Sequence, residues 1–276
     1  MPVCVFTAFG EQSTYVPEPA PLKERHLPAE ESTPAIVLRA RDYAEADRIV
    51  TLLTRDFGKL SGIAKGAKAS RRRFERKLEP FTQAMLYFRR RPHGQLVFIT
   101  RAERSDDAPP EFDELGKIAL GSYMLELTDA LTTEEAEAVA AYEVLASGLE
   151  VLGGRTPTTA LRQAFELKML QASGFGLEFG RCRLCGKIAE PEGGTVFFVP
   201  SRGGIVCARC RGQAVESAVH MDAVNAAALA RLGLTPLAES ATLPHGGGNS
   251  ALAIARFLAT ILDRKLRSVD FLNSTL

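Results

Sequence analysis

Short apolar runs separated by turn residues mark the part of the chain between residues 33 and 108. Each run is rich in β-branched, aliphatic or aromatic residues, and glycine, proline or charged segments stand between them. The five runs lie at residues 35–39, 48–54, 59–65, 81–88 and 95–101. The pattern predicts five short β-strands with a longer, basic connection between the third and the fourth.

Five strands at this spacing are typical of a small closed barrel. The OB-fold is the five-stranded barrel that most often binds nucleic acids, and its connecting loops take part in that binding. Strand count alone also allows an SH3-like barrel, so both architectures remain open at this point.

The pattern changes to helical periodicity between residues 109 and 180. A second helix is predicted to begin at Thr133, with Glu135 and Glu137 in its first turn. The segment 156–158 (TPT) opens a third helix, which ends at Gly174. A last helix follows the glycines of 246–248, with Asn249 or Ser250 as its cap. The first helix is predicted from the apolar positions Leu115, Ile118, Ala119, Leu125 and Leu127.

Together these elements predict an α+β multidomain protein. Residues 1–32 contain five prolines and few clustered apolar residues, and we interpret them as a weakly ordered extension. Residues 33–108 would form the barrel and 109–276 a helical domain. The last helix lies beyond the cysteines described next, so we expect it to pack on the earlier helices, which makes residues 180–215 or so an insertion.

Four cysteines form two pairs with metal-binding spacing. Cys182 and Cys185 are separated from Cys207 and Cys210 by 21 residues. Two ligands on one tight turn can both reach a single ion at about 2.3 Å. Apolar runs at 195–199 and 204–206 predict a hairpin between the pairs, as in a zinc ribbon. A redox dithiol, a disulfide pair and a rubredoxin-type iron site are the alternatives.

The ligand set favours one structural zinc ion. Four thiolates complete a tetrahedron and leave no position for the water that catalytic zinc needs. His220 follows ten residues after Cys210 on a predicted helix. We interpret it as a surface or packing residue rather than a ligand, and Cys4 as an incidental thiol.

Charge is unevenly distributed along a chain whose formal net charge is only +1. Residues 33–108 carry 17 basic against 9 acidic side chains, and residues 109–180 carry 4 against 12. The region from Lys59 to Arg91 holds eleven cations and two acids. Cations in barrel loops can follow a phosphate backbone, and Phe74, Tyr87 and Phe88 could stack on bases. The alternative is a solvated basic face over core aromatic rings.

Other classes of function find little support. No apolar run approaches the roughly 18 residues of a membrane span, and residues 1–10 lack the features of a signal peptide. We expect a cytoplasmic, nucleoid-associated protein without a membrane partner. Phosphate-loop and metalloprotease motifs are absent from the sequence, so we expect neither an enzyme nor a nucleotide cofactor. Two rivals remain: a nuclease using Asp42 and Asp47 or the pair 106–107, and an RNA-binding or transcription protein.

Several ordered segments resemble one bacterial family. The segments 35–43 (AIVLRARDY), 52–60 (LLTRDFGKL), 64–68 (AKGAK) and 78–81 (LEPF) are similar to the N-terminal domain of the recombination mediator family RecO. Segments 256–258 (RFL) and 264–268 (RKLRS) are also similar to that family, and the four cysteines match those of its zinc-bearing members, which other members lack. The resemblance covers about residues 33–272.

The resemblance implies an OB-fold, then a helical domain that holds a zinc ribbon. It implies binding of single- and double-stranded DNA, annealing of complementary strands, and cooperation with RecR to displace single-strand-binding protein and load RecA. In some members the helical domain takes the acidic tail of single-strand-binding protein in an apolar pocket flanked by basic residues, whose position this sequence does not reveal. The implied DNA contacts are Arg39, Lys59, Lys65, Lys68, Arg71, Arg72, Arg73 and Arg76.

Overall fold

A computed structural model describes residues 29–91, 96–105, 112–134, 136–189, 194–213 and 217–275, apart from the side chains of Arg71 and Arg72. Most of the predicted extension therefore lies outside the described residues. The strands are β1 Glu31–Tyr43, β2 Asp47–Thr54, β3 Gly58–Ala64, β4 Gln83–Arg89, β5 Val97–Arg104, β6 Thr195–Val199, β7 Gly204–Cys207 and β8 Val219–Asp222. The helices are α1 Arg71–Phe74, α2 Leu115–Leu131, α3 Val139–Gly154, α4 Thr159–Ala172, α5 Ala223–Leu234, α6 Leu237–Ser240, α7 Ser250–Ile261 and α8 Ser268–Asn273.

The first five strands close into an OB-like barrel, as predicted. Their order is β1-β2-β3-β5-β4, with β4 pairing back onto β1. β3 and β5 form a parallel pair, and the other neighbours are antiparallel. The apolar run in β1 is continuous because it has two buried faces. Ala35 and Val37 enter the barrel core, whereas Ile36 and Leu38 join the core of the helical domain.

The connection between β3 and β4 closes the barrel. It contains the single helical turn α1 and places Phe74 and Leu78 in the barrel core, where both side chains are almost fully buried. Burial of two large apolar groups anchors a segment that is otherwise strongly basic. The cations of this segment are therefore carried by a fixed element of the barrel.

The second helix begins later than predicted. Thr133 does not start it, because α3 begins at Val139. Glu134 instead forms a bridge with Lys59 of β3, and its carboxylate accepts a hydrogen bond from Ser61 at 2.8 Å. These contacts with the barrel hold the segment extended and override its local helical preference.

The predicted third and last helices are confirmed. The Thr158 hydroxyl accepts a hydrogen bond from the Leu161 amide at 3.1 Å and caps α4. Gly174 follows α4 with φ +84°, in the left-handed conformation that suits a glycine after a helix. Helix α7 returns to the helical core through Ala253 and Ile254, so the cysteine module is an insertion.

Several short elements were not predicted, among them β8 and α8. His220 lies on β8, so its placement on a helix was wrong. β8 pairs with β6 and makes a three-stranded sheet of order β7-β6-β8. The His220 ring packs edge-on against Phe197, with 5.7 Å between the ring centroids, in agreement with a packing role.

Candidate metal centre and nucleic-acid interface

The inserted module presents its four cysteines from two turns. Cys182 and Cys185 lie on a loop that Gly186 closes. The Gly186 amide donates to the Cys182 carbonyl at 2.9 Å, and Gly186 has a φ of +70°. Cys207 ends β7, and Cys210 follows in a short 3-10 turn. The β6–β7 hairpin predicted between the pairs is present. It carries the second pair of cysteines to the first.

The four sulfur atoms form one compact cluster. All lie within 4.8 Å of one another, and the Cys185 and Cys207 sulfurs are 3.8 Å apart. Four sulfurs at about 2.3 Å from a zinc ion form a tetrahedron with edges of about 3.8 Å. Within the described part of the chain these cysteines are free thiols rather than disulfides. The cluster therefore could hold one metal ion.

The protein environment favours thiolates in part of this cluster. Burial raises the pKa of the Cys182 thiol, but the amides of Cys207, Cys185 and Leu184 outweigh burial and lower it to about 6. The Cys207 amide lies 3.4 Å from the Cys182 sulfur. Hydrogen bonds with the neighbouring sulfurs raise the pKa of Cys210 to about 12. A bound cation would replace the shared proton and neutralise the clustered charge.

The module is anchored on the helical domain by aromatic packing. Phe179 stacks on Phe198 with ring centroids 5.2 Å apart, and both rings are buried in the helical core. Gly204 allows the chain to pass close by, since a Cβ there would lie 2.8 Å from the Glu178 carbonyl oxygen. The module thus packs on the large core, while Cys182 and Cys210 lie in a small apolar cluster of their own with Val199 and Val206.

The predicted DNA contacts fall into two groups. The first group lies at the junction of the barrel and the helical domain. The Lys59 ammonium donates to the Asp129 carbonyl at 2.7 Å and pairs with its carboxylate at 3.3 Å. Arg39 and Arg264 also pair with Asp129, at 3.1 Å and 3.4 Å. Asp129 is 3% exposed, whereas the Arg39 side chain keeps 64% of its surface exposed.

The second group lies on the β3–β4 connection. The side chains of Lys65, Lys68, Arg73 and Arg76 are exposed there. Lys68 pairs with Asp42 at 2.8 Å, and Arg73 donates to the Ser70 hydroxyl at 3.1 Å. The side chains of Arg71 and Arg72 lie outside the described part of the structure, although their backbone forms α1. The fold therefore gathers this group on one exposed segment.

Two of the three aromatic rings suggested for base stacking are in the core. Phe74 is 3% exposed and Phe88 is fully buried, so the alternative of core aromatic rings holds for both. Tyr87 is half-buried on the outer barrel face, with the Arg101 guanidinium 3.4 Å from its ring centroid. Alternation sends Phe88 inward because successive side chains of a strand point to opposite faces.

The carboxylates considered for a nuclease are engaged in structural contacts. Asp42 pairs with Lys68 and also with Arg48, at 3.2 Å. Asp47 accepts a hydrogen bond from the Gly66 amide at 2.9 Å. Positive partners lower the pKa of Asp42, first of all the Lys68 hydrogen bond. The acidic pair 106–107 lies outside the described residues.

Sequence reasoning missed two exposed residues of β1, Arg41 and Tyr43. Both are exposed, and both share the outward face of the strand with Arg39. The alternation of side-chain direction along residues 39–43 could have identified them, because residues 39, 41 and 43 of one strand point to the same face. These two residues extend the exposed surface of β1 beyond Arg39.

The helical domain carries an apolar groove with cationic edges. Its cavity measures about 410 Å³ and lies between α7 and the C-terminal segment. Leu258, Leu262 and Leu266 line it, while Arg162 and Lys265 provide positive charge. At the base of the groove, the buried Glu166 carboxylate accepts hydrogen bonds from the Tyr123 hydroxyl at 2.6 Å and from the Arg162 guanidinium at 2.9 Å. These charges are compensated, and Lys265 is exposed at the edge while it pairs with Asp270 at 2.9 Å.

No helix in the described ranges is both long and apolar enough to cross a membrane.

Family models and curated relatives both match this chain. Models described as "Recombination protein O N terminal" and "Recombination protein O C terminal" match residues 29–106 and 113–271. A protein of Anaeromyxobacter sp. (strain Fw109-5) called "DNA repair protein RecO" is 41% identical over 86% of this chain and 93% of its own. Proteins of the same name from Myxococcus xanthus and Symbiobacterium thermophilum are 36% and 32% identical. They cover 86% and 87% of this chain and 95% of their own length each.

Proposed function

This chain belongs to the RecO family of non-enzymatic DNA repair proteins, and from that premise we propose that it is a recombination mediator. It binds single- and double-stranded DNA, anneals complementary strands, and acts with RecR to load RecA on strands coated by single-strand-binding protein. The observation that carries this proposal is the exposed basic segment of the β3–β4 connection, held on an OB-like barrel by Phe74 and Leu78.

Annealing requires proximity and charge neutralisation rather than bond chemistry. Two strands repel each other through their phosphates, and a cationic surface lowers that repulsion while it releases counterions. Contacts to the backbone carry no sequence information, so any complementary pair can be brought together. The affinity should fall with salt, with a slope of about −0.7 per phosphate contact on single strands.

We assign the direct phosphate contacts to the connection. These residues are Lys65, Lys68, Arg71, Arg72, Arg73 and Arg76. Arg39 keeps enough exposed surface to reach a phosphate while it is paired with Asp129. Lys59 is 14% exposed and its ammonium is occupied by Asp129. It therefore supports the DNA site mainly by fixing the barrel against the helical domain.

The four-cysteine cluster holds one structural zinc ion in this proposal. Cys182, Cys185, Cys207 and Cys210 supply all four ligands, and zinc with four thiolates has a closed coordination shell. The donor set and the 3.8 Å spacing of two sulfurs support zinc rather than a harder cation such as magnesium. Bound zinc links the turns of the module, which keeps its surface ordered for partners.

The groove in the helical domain supports an interaction with the acidic tail of single-strand-binding protein. Leucines would accept apolar side chains of the tail, and Lys265 with Arg264 would meet its carboxylates. The DNA and RecR partners would engage other surfaces. The proposed location is the cytoplasm, in association with the nucleoid.

Annealing of two labelled complementary oligonucleotides across a salt series tests the proposal. Magnesium is present and ATP is absent. We expect fast, protein-dependent annealing that weakens with salt and leaves both strands intact. Cleaved strands would support a nuclease instead, and preferential binding of an RNA strand of the same sequence would support an RNA-binding protein.

A variant series locates the surface. Arg71, Arg72 and Arg73 changed together to Ala should weaken DNA binding and make its salt slope shallower by about two units, at about 0.7 per contact. The matched control changes Arg181, Arg202 and Arg209, three exposed cations of the metal module, to Ala. An unchanged slope in the triple variant would remove this segment from the DNA site.

A further inference from the structure

We propose that Tyr43 is the residue on which this protein stacks a DNA base; this inference rests on the proposed DNA-binding function. Tyr43 ends β1 beside the tight turn that leads to β2, and 53% of it is exposed. Stacking of a base on an exposed aromatic ring is a contact with single strands that a purely electrostatic surface cannot make.

The other aromatic rings in the described part of the barrel are covered. Phe74 and Phe88 are buried. Phe57 packs on Phe88 at 5.5 Å, and Phe81 packs on Phe112 at 5.2 Å. The two outward rings of the β4–β5 pair lie under arginines, Tyr87 under Arg101 and Phe98 under Arg91. Tyr43 is therefore the exposed ring of the described barrel.

The β1–β2 turn that carries Tyr43 is fixed to the basic connection. The Lys68 amide donates to the Ala46 carbonyl at 3.0 Å, and the Asp47 carboxylate accepts from the Gly66 amide at 2.9 Å. Asp42 adds ion pairs to Lys68 and Arg48. These contacts hold the strand end that carries Tyr43 next to the proposed phosphate-binding segment.

Cations lie on both faces of the β1–β2 ribbon, and one of them shares the face of Tyr43. Arg41 shares the outward face with Tyr43, two residues away, which is about 7 Å along a strand. Asp42 points to the opposite face, where it meets Lys68. A base stacked on Tyr43 would thus share its face of the ribbon with Arg41, and Asp47, the cross-strand partner of Tyr43, joins the ribbon to Gly66 of the connection.

Two substitutions separate stacking from charge. Tyr43→Leu removes the aromatic ring and Tyr43→Phe keeps it, and neither changes the net charge. We expect Tyr43→Leu to weaken binding of a fluorescent oligo-dT by about 5- to 150-fold, the equivalent of one stacked base. Tyr43→Phe should stay within about twofold of wild type. The salt slope should be the same for all three proteins, because no phosphate contact is lost.

A strand of abasic sugar-phosphate units with the same length and charge supplies the control. Wild type and Tyr43→Leu should bind it equally, since no base is available to stack. An equal loss on both strands would overturn stacking in favour of a backbone contact. Unchanged oligo-dT binding by Tyr43→Leu, with wild type binding and annealing normally, would sink this inference but leave the proposed function standing. Absence of DNA binding by wild type would overturn both.

Discussion

The Lys59 ammonium on the barrel reaches across to Asp129 on the helical domain, 2.7 Å from its carbonyl oxygen and 3.3 Å from its carboxylate. Arg39 and Arg264 converge on the same carboxylate. One buried acidic side chain therefore accepts three cations, two from the barrel and one from the C-terminal segment. This arrangement makes Asp129 the electrostatic centre of the junction between the two domains.

Asp129→Asn should lower the free energy of unfolding by about 3–5 kcal/mol. The substitution leaves a largely buried lysine without its compensating charge, and breaking a buried pair in this way costs about that much. Urea denaturation at neutral pH measures the loss. Arg55→Ala is the matched control, because it removes an exposed ion pair between the same two domains, Arg55 with Glu143 at 2.8 Å. The control should cost at most about 1 kcal/mol. Equal effects of the two substitutions would contradict a special role for Asp129.

Cys207→Ser should abolish stoichiometric zinc binding and lower the melting temperature of the protein. A hydroxyl is a poor replacement for one thiolate in a tetrahedral site. Metal content by mass spectrometry, together with a thermal melt, tests both effects. Thr195→Ser, on the neighbouring strand β6, should keep the metal. One zinc ion per chain in the Cys207 variant would refute the four-ligand assignment.

Glu126→Gln should destabilise the docking of α8 at neutral pH but not in acid. Burial raises the pKa of Glu126, but hydrogen bonds from Ser268 and Arg267 outweigh it and hold the pKa below its usual value. A depressed folded-state pKa contributes stability above the unfolded value, about 4.3. That contribution is lost as the pH falls through the folded-state pKa.

The difference in unfolding free energy between wild type and Glu126→Gln should be about 1 kcal/mol at pH 7 and shrink below about pH 4.3. Urea titrations at several pH values measure it. Asp270→Asn serves as the control, because its pair with Lys265 is exposed on both sides. A difference that stays constant with pH would show that the charge of Glu126 is not the cause.

Lys265→Glu should weaken binding of an acidic peptide with an apolar end, the chemistry proposed for the tail of single-strand-binding protein, by roughly tenfold. The substitution places a negative charge at the edge of the groove, where like charges oppose binding. Fluorescence anisotropy of the labelled peptide gives the affinity. Arg209→Glu changes the net charge equally on the metal module and should have little effect. A similar loss in both variants would indicate general charge steering rather than a groove.

Local patterns predicted much of the fold. The five strands of the barrel, α2, α4 and α7 all follow from apolar periodicity and capping residues, as at Thr158 and Gly174. These patterns predict the elements correctly because each strand or helix buries the same set of apolar side chains that defines its periodicity. The predicted start of α3 was wrong because Glu134 forms a backbone bridge with Lys59. Lys59 lies 75 residues earlier in the chain, so no local sequence pattern contains this contact.

The candidate sites were likewise predicted in part from the sequence and in part only from the structure. Spacing alone identified the four cysteines, because two ligands on each turn are a local requirement, and composition alone located the cationic segment. The roles within that segment depended on long-range pairing. Only the folded chain shows that Phe74 and Phe88 are core residues and that Lys59 is committed to Asp129.

The sequence by itself therefore determined which chemical groups are present: a four-thiolate cluster, a basic barrel loop and an apolar helical core. The tertiary structure decided which of those groups face solvent. Barrel closure turns alternate side chains inward or outward, and domain packing buries some cations against distant acids. Exposure is a property of contacts between remote segments, and for that reason it was the tertiary structure that left Tyr43 exposed among aromatic rings that are otherwise covered in the described barrel.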